Sequence, residues 1–226
     1  MAFHHSPKIV TDGLVMYLDA ANPKSYPGIG STWHDLSGNN YDGDLTSIVF
    51  TDRAIVFDSS TSLCYTSLPV ATLGSVFTVC GFFDSRGNDT NTAVSNRLVS
   101  CDQESGSTKW CVGVNNDGDF LWGGIGGSES YATPLSLNNS QIYFFAITHN
   151  SSNFYSLFLN NVKEADTVAS GIAATSYGNL SVGCRPNSGT DRIWDGGVYL
   201  INIYTRVLSD SEIIQNYDAL KGRFGL

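Results

Sequence analysis

Ile142-Tyr143-Phe144-Phe145-Ala146-Ile147-Thr148 is the stretch whose reading decides the fold. As a strand, its side chains alternate between two faces, and both faces come out apolar. A strand of that kind must be covered on both sides. Working outward, further strand candidates recur at 13–19, 45–50, 53–57, 62–67, 76–83, 96–101, 109–114, 119–123, 154–159, 179–184 and 197–204. Turn formers separate them. Asp117-Gly118 stands between Trp110–Val114 and Phe120–Trp122, a dipeptide that supplies the positive φ of a type I′ hairpin. Asn160-Asn161 does the same after Tyr155–Leu159. Asn22–Gly28 and Trp33–Asp44 read as polar loops. Many short strands with turn signals between them mean a sandwich or a barrel.

One helix is expected near the C-terminus. Ser209-Asp210-Ser211-Glu212 fits a capping box, in which the Ser hydroxyl and the Glu carboxylate each satisfy an amide at the helix start. Ile213, Tyr217 and Leu220 then fall on one face and Gly222 ends the run, so the helix is expected to dock and cap the open end of the sandwich. Residues 1–11 read as an N-terminal arm, and 12–226 as one domain without repeats or a change of composition. Beta sandwiches commonly reach this length as a single unit.

Composition narrows the function. Only 15% of the 226 residues are charged against 42% hydrophobic, so the solvent face is built from Ser, Thr, Asn and Gly. The net charge is −9, and no Lys or Arg run offers a basic patch, which argues against nucleic acid and anionic membranes as partners. Four of the 21 acids are Glu; the Asp excess suits turns. The five cysteines, Cys64, Cys80, Cys101, Cys111 and Cys184, cannot all pair within one chain and lack zinc spacing. They are expected as reduced core thiols of a chain folded in a cytoplasm, with a Cys101–Cys111 bridge left open. The N-terminal sequence has no apolar stretch of signal-peptide length.

An ordered set of motifs then resembles a known family. It begins with Asp12–Ala20, Asn22–Gly28 and Thr32–Asn39, and continues through Ala54–Asp58, Val76–Val79 and Tyr143–Thr148 to Leu157–Asn160. It ends with Leu180–Gly183, Trp194–Val198, Ile203–Ser209 and Asn216–Arg223. Together these resemble the concanavalin A-like, laminin-G-like jelly-roll domains of bacteriophage structural proteins. The resemblance implies an all-β fold: a two-sheet antiparallel jelly-roll sandwich with one short C-terminal helix. It also implies a non-catalytic virion protein, a head decoration or tail fibre that serves particle attachment or stabilisation. Such a protein would fold in the host cytoplasm, sit on the virion surface and have other virion proteins as partners, with homo-oligomerisation left open. The alternative is a lectin-like module that recognises host-surface glycans. The family often carries an acidic pair in its penultimate strand; Tyr199 and Leu200 stand there instead.

Catalytic chemistry finds little support in the residues. Sugar hydrolysis needs two carboxylates on opposite sides of the scissile bond. The Glu-x-Asp-x-x-Glu strand of laminarinase-type sandwich hydrolases is absent, as is Gly-x-Ser-x-Gly. Asp117 and Asp119 flank a turn, and His149 reads as a rim residue rather than a base. No cofactor is expected, calcium excepted. Asp35, Asn39, Asp42 and Asp44 form an oxygen-rich loop of the ligand type that calcium takes, and turn chemistry explains the same four residues. For sugar binding, which wants an aromatic face beside polar groups, the candidates are Trp194 and Tyr131 with Asp191, Asn115 and Asn116. Trp110 and Trp122 also qualify, unless they form a cross-strand core pair about their hairpin.

Overall fold

The computed structural model describes residues 7–86, 96–101, 110–114, 121–125, 128–131, 137–138, 140–152, 154–168, 178–185 and 192–226. Its strands in chain order are β1 (Leu14–Asp19), β2 (Thr32–Trp33), β3 (Gly43–Thr46), β4 (Val49–Thr51), β5 (Ala54–Asp58), β6 (Leu63–Pro69), β7 (Phe77–Asp84) and β8 (Arg97–Ser100). They continue with β9 (Trp110–Val114), β10 (Leu121–Ile125), β11 (Ser128–Tyr131), β12 (Ile142–His149), β13 (Phe154–Leu159), β14 (Val162–Val168), β15 (Asn179–Val182) and β16 (Asp195–Tyr204). The helix α1 spans Asp210–Leu220.

Two antiparallel sheets result. The first runs β14-β13-β12-β7-β16-β5-β4; β1 pairs with the far half of β16, beyond the end of β5. The second runs β11-β10-β9-β8-β15-β6-β3-β2. Val114 pairs with Leu121, and the Asp117-Gly118 dipeptide expected to turn between their strands lies outside the described residues. Leu159 pairs with Val162 across the tight Asn160-Asn161 turn, where Asn160 has φ 54°. The loop expected over 33–44 gives up its ends to β2 and β3, and β11 and β14 add strands that the apolar pattern did not mark.

The expectation for residues 142–148 holds in detail. Tyr143, Phe145 and Ile147 face the space between the sheets, with Trp33, Phe77, Phe83, Trp110, Tyr155 and Trp194. Phe144 and Ala146 face outward into a second apolar layer, with Phe82, Leu200, Tyr204, Ile213, Leu220 and Phe224. Helix α1 supplies that layer, so it lies across the outside of the first sheet rather than capping an open end. The physical reason is the two-sided apolar strands: their outer face would otherwise meet water at about 25 cal/mol per Å². The Phe82 ring, 4.7 Å from Phe224 and 5.0 Å from Phe144, marks the contact.

The helix start follows its sequence. Ser209 accepts from the Glu212 amide while Glu212 Oε2 takes the Ser209 N–H at 2.8 Å. Arg206 grips the same carboxylate at 2.6 and 3.0 Å, and its guanidinium, with the Ser209 amide, pulls the Glu212 acid down to about 2. Val10 falls in the stretch 1–11 expected as an arm. Val10 is buried: its N–H donates to Asn216 Oδ1 at 2.8 Å, and its carbonyl accepts from Tyr204 Oη at 3.0 Å. All five cysteines are buried, and none is in a disulfide. Cys101 shares the inter-sheet core with Trp110, and strand alternation sends Cys111 to the opposite face, so the Cys101–Cys111 bridge left open by the sequence does not form.

Candidate functional site

The second sheet presents the site. In β3 and β6 burial alternates, with Leu45, Cys64 and Leu68 inside and Asp44, Tyr65 and Ser67 outside. Strand pairing sets these outward residues side by side. Thr32 opposes Asp44, Asp44 opposes Tyr65, and Tyr65 opposes Ser181, so one row crosses four strands. Asp42, Ser67 and Asn179 flank the row, and the whole encloses an open groove of about 390 Å³. The Tyr65 ring is half-buried, held from beneath by the core. Partial burial, with the Cys184 thiol nearby, raises its phenol above the usual range, so the hydroxyl keeps its proton and can donate.

The two carboxylates of the groove differ in their commitments. Asp42 Oδ1 accepts the Asp35 amide at 2.8 Å, and Asp42 Oδ2 lies 3.1 Å from His34 Nδ1. Among the described residues no hydrogen-bond donor or cation reaches the Asp44 carboxylate. None of the lining side chains is cationic.

The residues proposed for calcium, Asp35, Asn39, Asp42 and Asp44, do not converge. Asp35 Oδ1 takes the Tyr17 and Ser37 amides at 2.8 and 2.9 Å, and Oδ2 takes the Ser37 hydroxyl and the Tyr41 amide at 2.7 and 3.1 Å. Asn39 turns its Nδ2 to the Val15 carbonyl at 3.0 Å. Asp44 shares the groove lining with Asp42 but bonds to neither Asp35 nor Asn39. Local bonds therefore occupy both oxygens of Asp35 and of Asp42, and among the described residues no three His, Cys, Asp or Glu side chains group as a metal centre needs.

The sugar platform expected at Trp194 is corrected as well. Trp194 is completely buried, edge-on to Phe83 at 5.5 Å, and its indole N–H donates to the Asp84 carbonyl at 3.0 Å. The Asp84 that accepts this bond is the centre of a buried polar cluster. Asp84 Oδ1 accepts from Gly197 N–H at 2.7 Å and Arg86 Nε at 2.9 Å; Oδ2 accepts from Tyr199 Oη at 2.7 Å and Arg86 Nη2 at 3.0 Å. Gly196, at φ 145°, permits this approach: a Cβ there would lie 2.2 Å from the Asp84 carbonyl oxygen. So the Tyr199 that replaces the family's acid is a donor to a carboxylate on the neighbouring strand. Tyr131 is opposite Trp122 in the β10–β11 ladder. Asn115, Asn116 and Asp191 lie outside the described residues. Trp110 opposes Ile125 and Trp122 opposes Gly113, so the two tryptophans are not cross-strand partners.

His149 is no rim residue. It ends β12 fully buried, 5.7 Å from the Phe77 ring, with Nδ1 2.6 Å from the Ser75 carbonyl oxygen. A carbonyl only accepts, so Nδ1 carries the proton. Burial lowers the imidazole below its ordinary 6.5, and the Ser75 bond opposes this more weakly. The folded state thus binds its proton later than the unfolded chain as pH falls. The contribution is complete above the unfolded value and is lost as pH drops through the folded one. Urea unfolding at pH 7 and pH 5 is expected to show a larger loss of stability for the native chain than for His149→Gln; equal losses would contradict this.

The fold and its groove can be set beside known proteins. No curated protein matches the chain in sequence. Among solved structures, Trypanosoma rangeli sialidase in complex with sialic acid is similar with a TM-score of 0.72 and 14% identity, over 92% of this chain and 33% of that one. The chain thus spans about a third of the sialidase's length. Domain 4 of AbnA, a GH43 extracellular arabinanase from Geobacillus stearothermophilus, in complex with arabinotriose, is similar at 0.67 and 14% identity, over 90% of this chain and 98% of that one. The binding domain of Paraclostridial Mosquitocidal Protein 1 is similar at 0.66 and 18% identity, over 92% and 52%. At these identities the likeness is one of fold. In sequence, the profile of the concanavalin A-like lectin/glucanases superfamily matches residues 57–214, more than half of the chain, and the chain belongs to that superfamily.

Proposed function

We propose that this chain is a non-catalytic carbohydrate-binding module whose ligand lies in the Tyr65 groove. The observation that carries the reading is the row Thr32–Asp44–Tyr65 flanked by Ser67 and Asn179. A pyranose has an apolar face that stacks on an aromatic ring and a rim of hydroxyls that pair with carboxylate, amide and hydroxyl groups. The groove supplies both on one rigid sheet. The arabinotriose complex of the arabinanase domain, which is about the size of this chain, supports the same reading by analogy of fold.

The non-catalytic part rests on where the acids stand. Asp42, just before β3, and Asp44, within it, are two positions apart and line the same groove, whereas hydrolysis wants one carboxyl group on each side of the bond. Asp42 is also tied to the Asp35 amide and His34. Release of reducing ends from polysaccharides incubated with the chain would overturn this part.

The expected result for binding is that Tyr65→Ala weakens the affinity for a glycan found on an array by about two- to tenfold, since stacking on one aromatic ring contributes about 0.5–1.5 kcal/mol beyond area burial. An unchanged affinity would remove the groove as the site. Display on a phage particle, implied by the motif resemblance, is compatible with glycan binding at a host surface. Mass spectrometry of purified particles tests it, and absence of the chain from them would end it.

A further inference from the structure

We infer that the groove selects glycans that carry free, protonated amino groups, such as deacetylated hexosamine units, over their N-acetylated and acidic counterparts. The inference rests on the carbohydrate-binding reading and adds the substrate class.

Charge within the groove carries the argument. Its lining contains two carboxylates and no cation. Asp42 is already engaged by the Asp35 amide and by His34, so its charge is partly answered within the protein. Asp44 is not answered. It projects from β3 between Thr32 and Tyr65, its two cross-strand neighbours, and among the described residues no donor or cation reaches it. An unanswered carboxylate beside an aromatic ring offers two attractions to one ligand group. An ammonium gains a charge-assisted hydrogen bond from the carboxylate and a cation–π contact from the ring face. A hydroxyl can bond the carboxylate but brings neither an opposite charge nor a cation–π contact, an acetamide loses the charge, and a sugar carboxylate is repelled by both acids.

Geometry gives the selection a place. Asp44 and Tyr65 are directly opposed on neighbouring antiparallel strands, where opposed Cβ atoms lie about 4.5–5.5 Å apart. A single amino group on a ring stacked against Tyr65 can therefore reach Asp44, while Ser67, Thr32 and Asn179 remain for the hydroxyls. The wider charge of −9 also attracts cations, so the test must separate the groove from the surface as a whole.

The test is calorimetric titration of the full chain with short hexosamine oligomers of equal length, either fully deacetylated or fully N-acetylated, and with a uronic acid oligomer, all at 0.15 M salt. The deacetylated oligomer is expected to bind about tenfold more tightly than the acetylated one, the gain of one partly desolvated charge contact. Asp44→Asn is expected to erase that ratio. Asp52→Asn removes the same charge from the β4–β5 turn of the other sheet, and it should leave the ratio unchanged. Equal binding of the two oligomers, or an equal effect of both substitutions, overturns the amino selectivity. If acetylated oligomers still bind and Tyr65→Ala abolishes that binding, the module reading survives such a result. If no oligomer binds, or Tyr65→Ala has no effect on those that do, both fail.

Discussion

Asp84→Ala is expected to destabilise the domain by about 3–5 kcal/mol, the scale for breaking a buried ion pair from one side. The carboxylate is 1% exposed and receives four hydrogen bonds, from Gly197, Tyr199 and twice from Arg86. Its removal orphans the Gly197 amide and the Tyr199 hydroxyl, each at about 1–3 kcal/mol. Burial and the Asp84 carboxylate hold the Tyr199 phenol far above its usual range, so it acts as a donor, and among the described residues no second acceptor is in hand. Arg86 is partly exposed and can turn to solvent, which keeps the loss at the lower end. The measurement is urea unfolding followed by tryptophan fluorescence, because Trp194 donates to the Asp84 carbonyl and reports the site. A midpoint shift worth less than about 1 kcal/mol would contradict the account.

The second large effect lies at the opposite end of the sequence. Asp19 is fully buried and grips Arg223 in two bonds of 2.8 and 3.0 Å. It also accepts from Tyr17 Oη at 2.9 Å and from the Ala21 amide at 3.1 Å. Arg223→Ala leaves a buried carboxylate with only neutral donors, an expected loss of about 3–5 kcal/mol. The pair also pins the segment after α1 to β1, next to Phe224, which packs on Phe82 and Tyr199. The loss should therefore appear first as local opening of the helix, with faster amide exchange in α1 than in β12. Asp19→Asn with Arg223→Ala is expected to recover part of the stability, since the charge that lacked a partner is gone. A double variant no more stable than Arg223→Ala alone would refute the ion-pair explanation.

Both predictions depend on contacts that join distant parts of the chain, and this is where sequence reading ends. Asp84 and Tyr199 are 115 positions apart, and Asp19 and Arg223 are 204. Trp194 shows the cost of reading locally. Asp-Arg-Ile-Trp-Asp looks solvated because its neighbours are charged, yet the strand that follows carries the indole into the inter-sheet core. The groove illustrates the same limit from the other side. The alternation of Gly43–Thr46 and Leu63–Pro69 marks one polar face on each strand and could have nominated Asp44 and Tyr65. Nothing in either stretch says that they stand opposite each other, or that Asn179 joins them.

Taken alone, the order of residues determined the kind of structure: the two-sided apolar strand at 142–149, the Asn160 turn and the Ser209–Glu212 cap each follow from interactions within a few positions. The tertiary structure decided which face each strand presents to which layer, where α1 lies and which acids are buried, paired or open. The reason is physical. Backbone periodicity and capping are short-range, whereas burial and ion pairing depend on pairings made across the sheets, which no local pattern encodes.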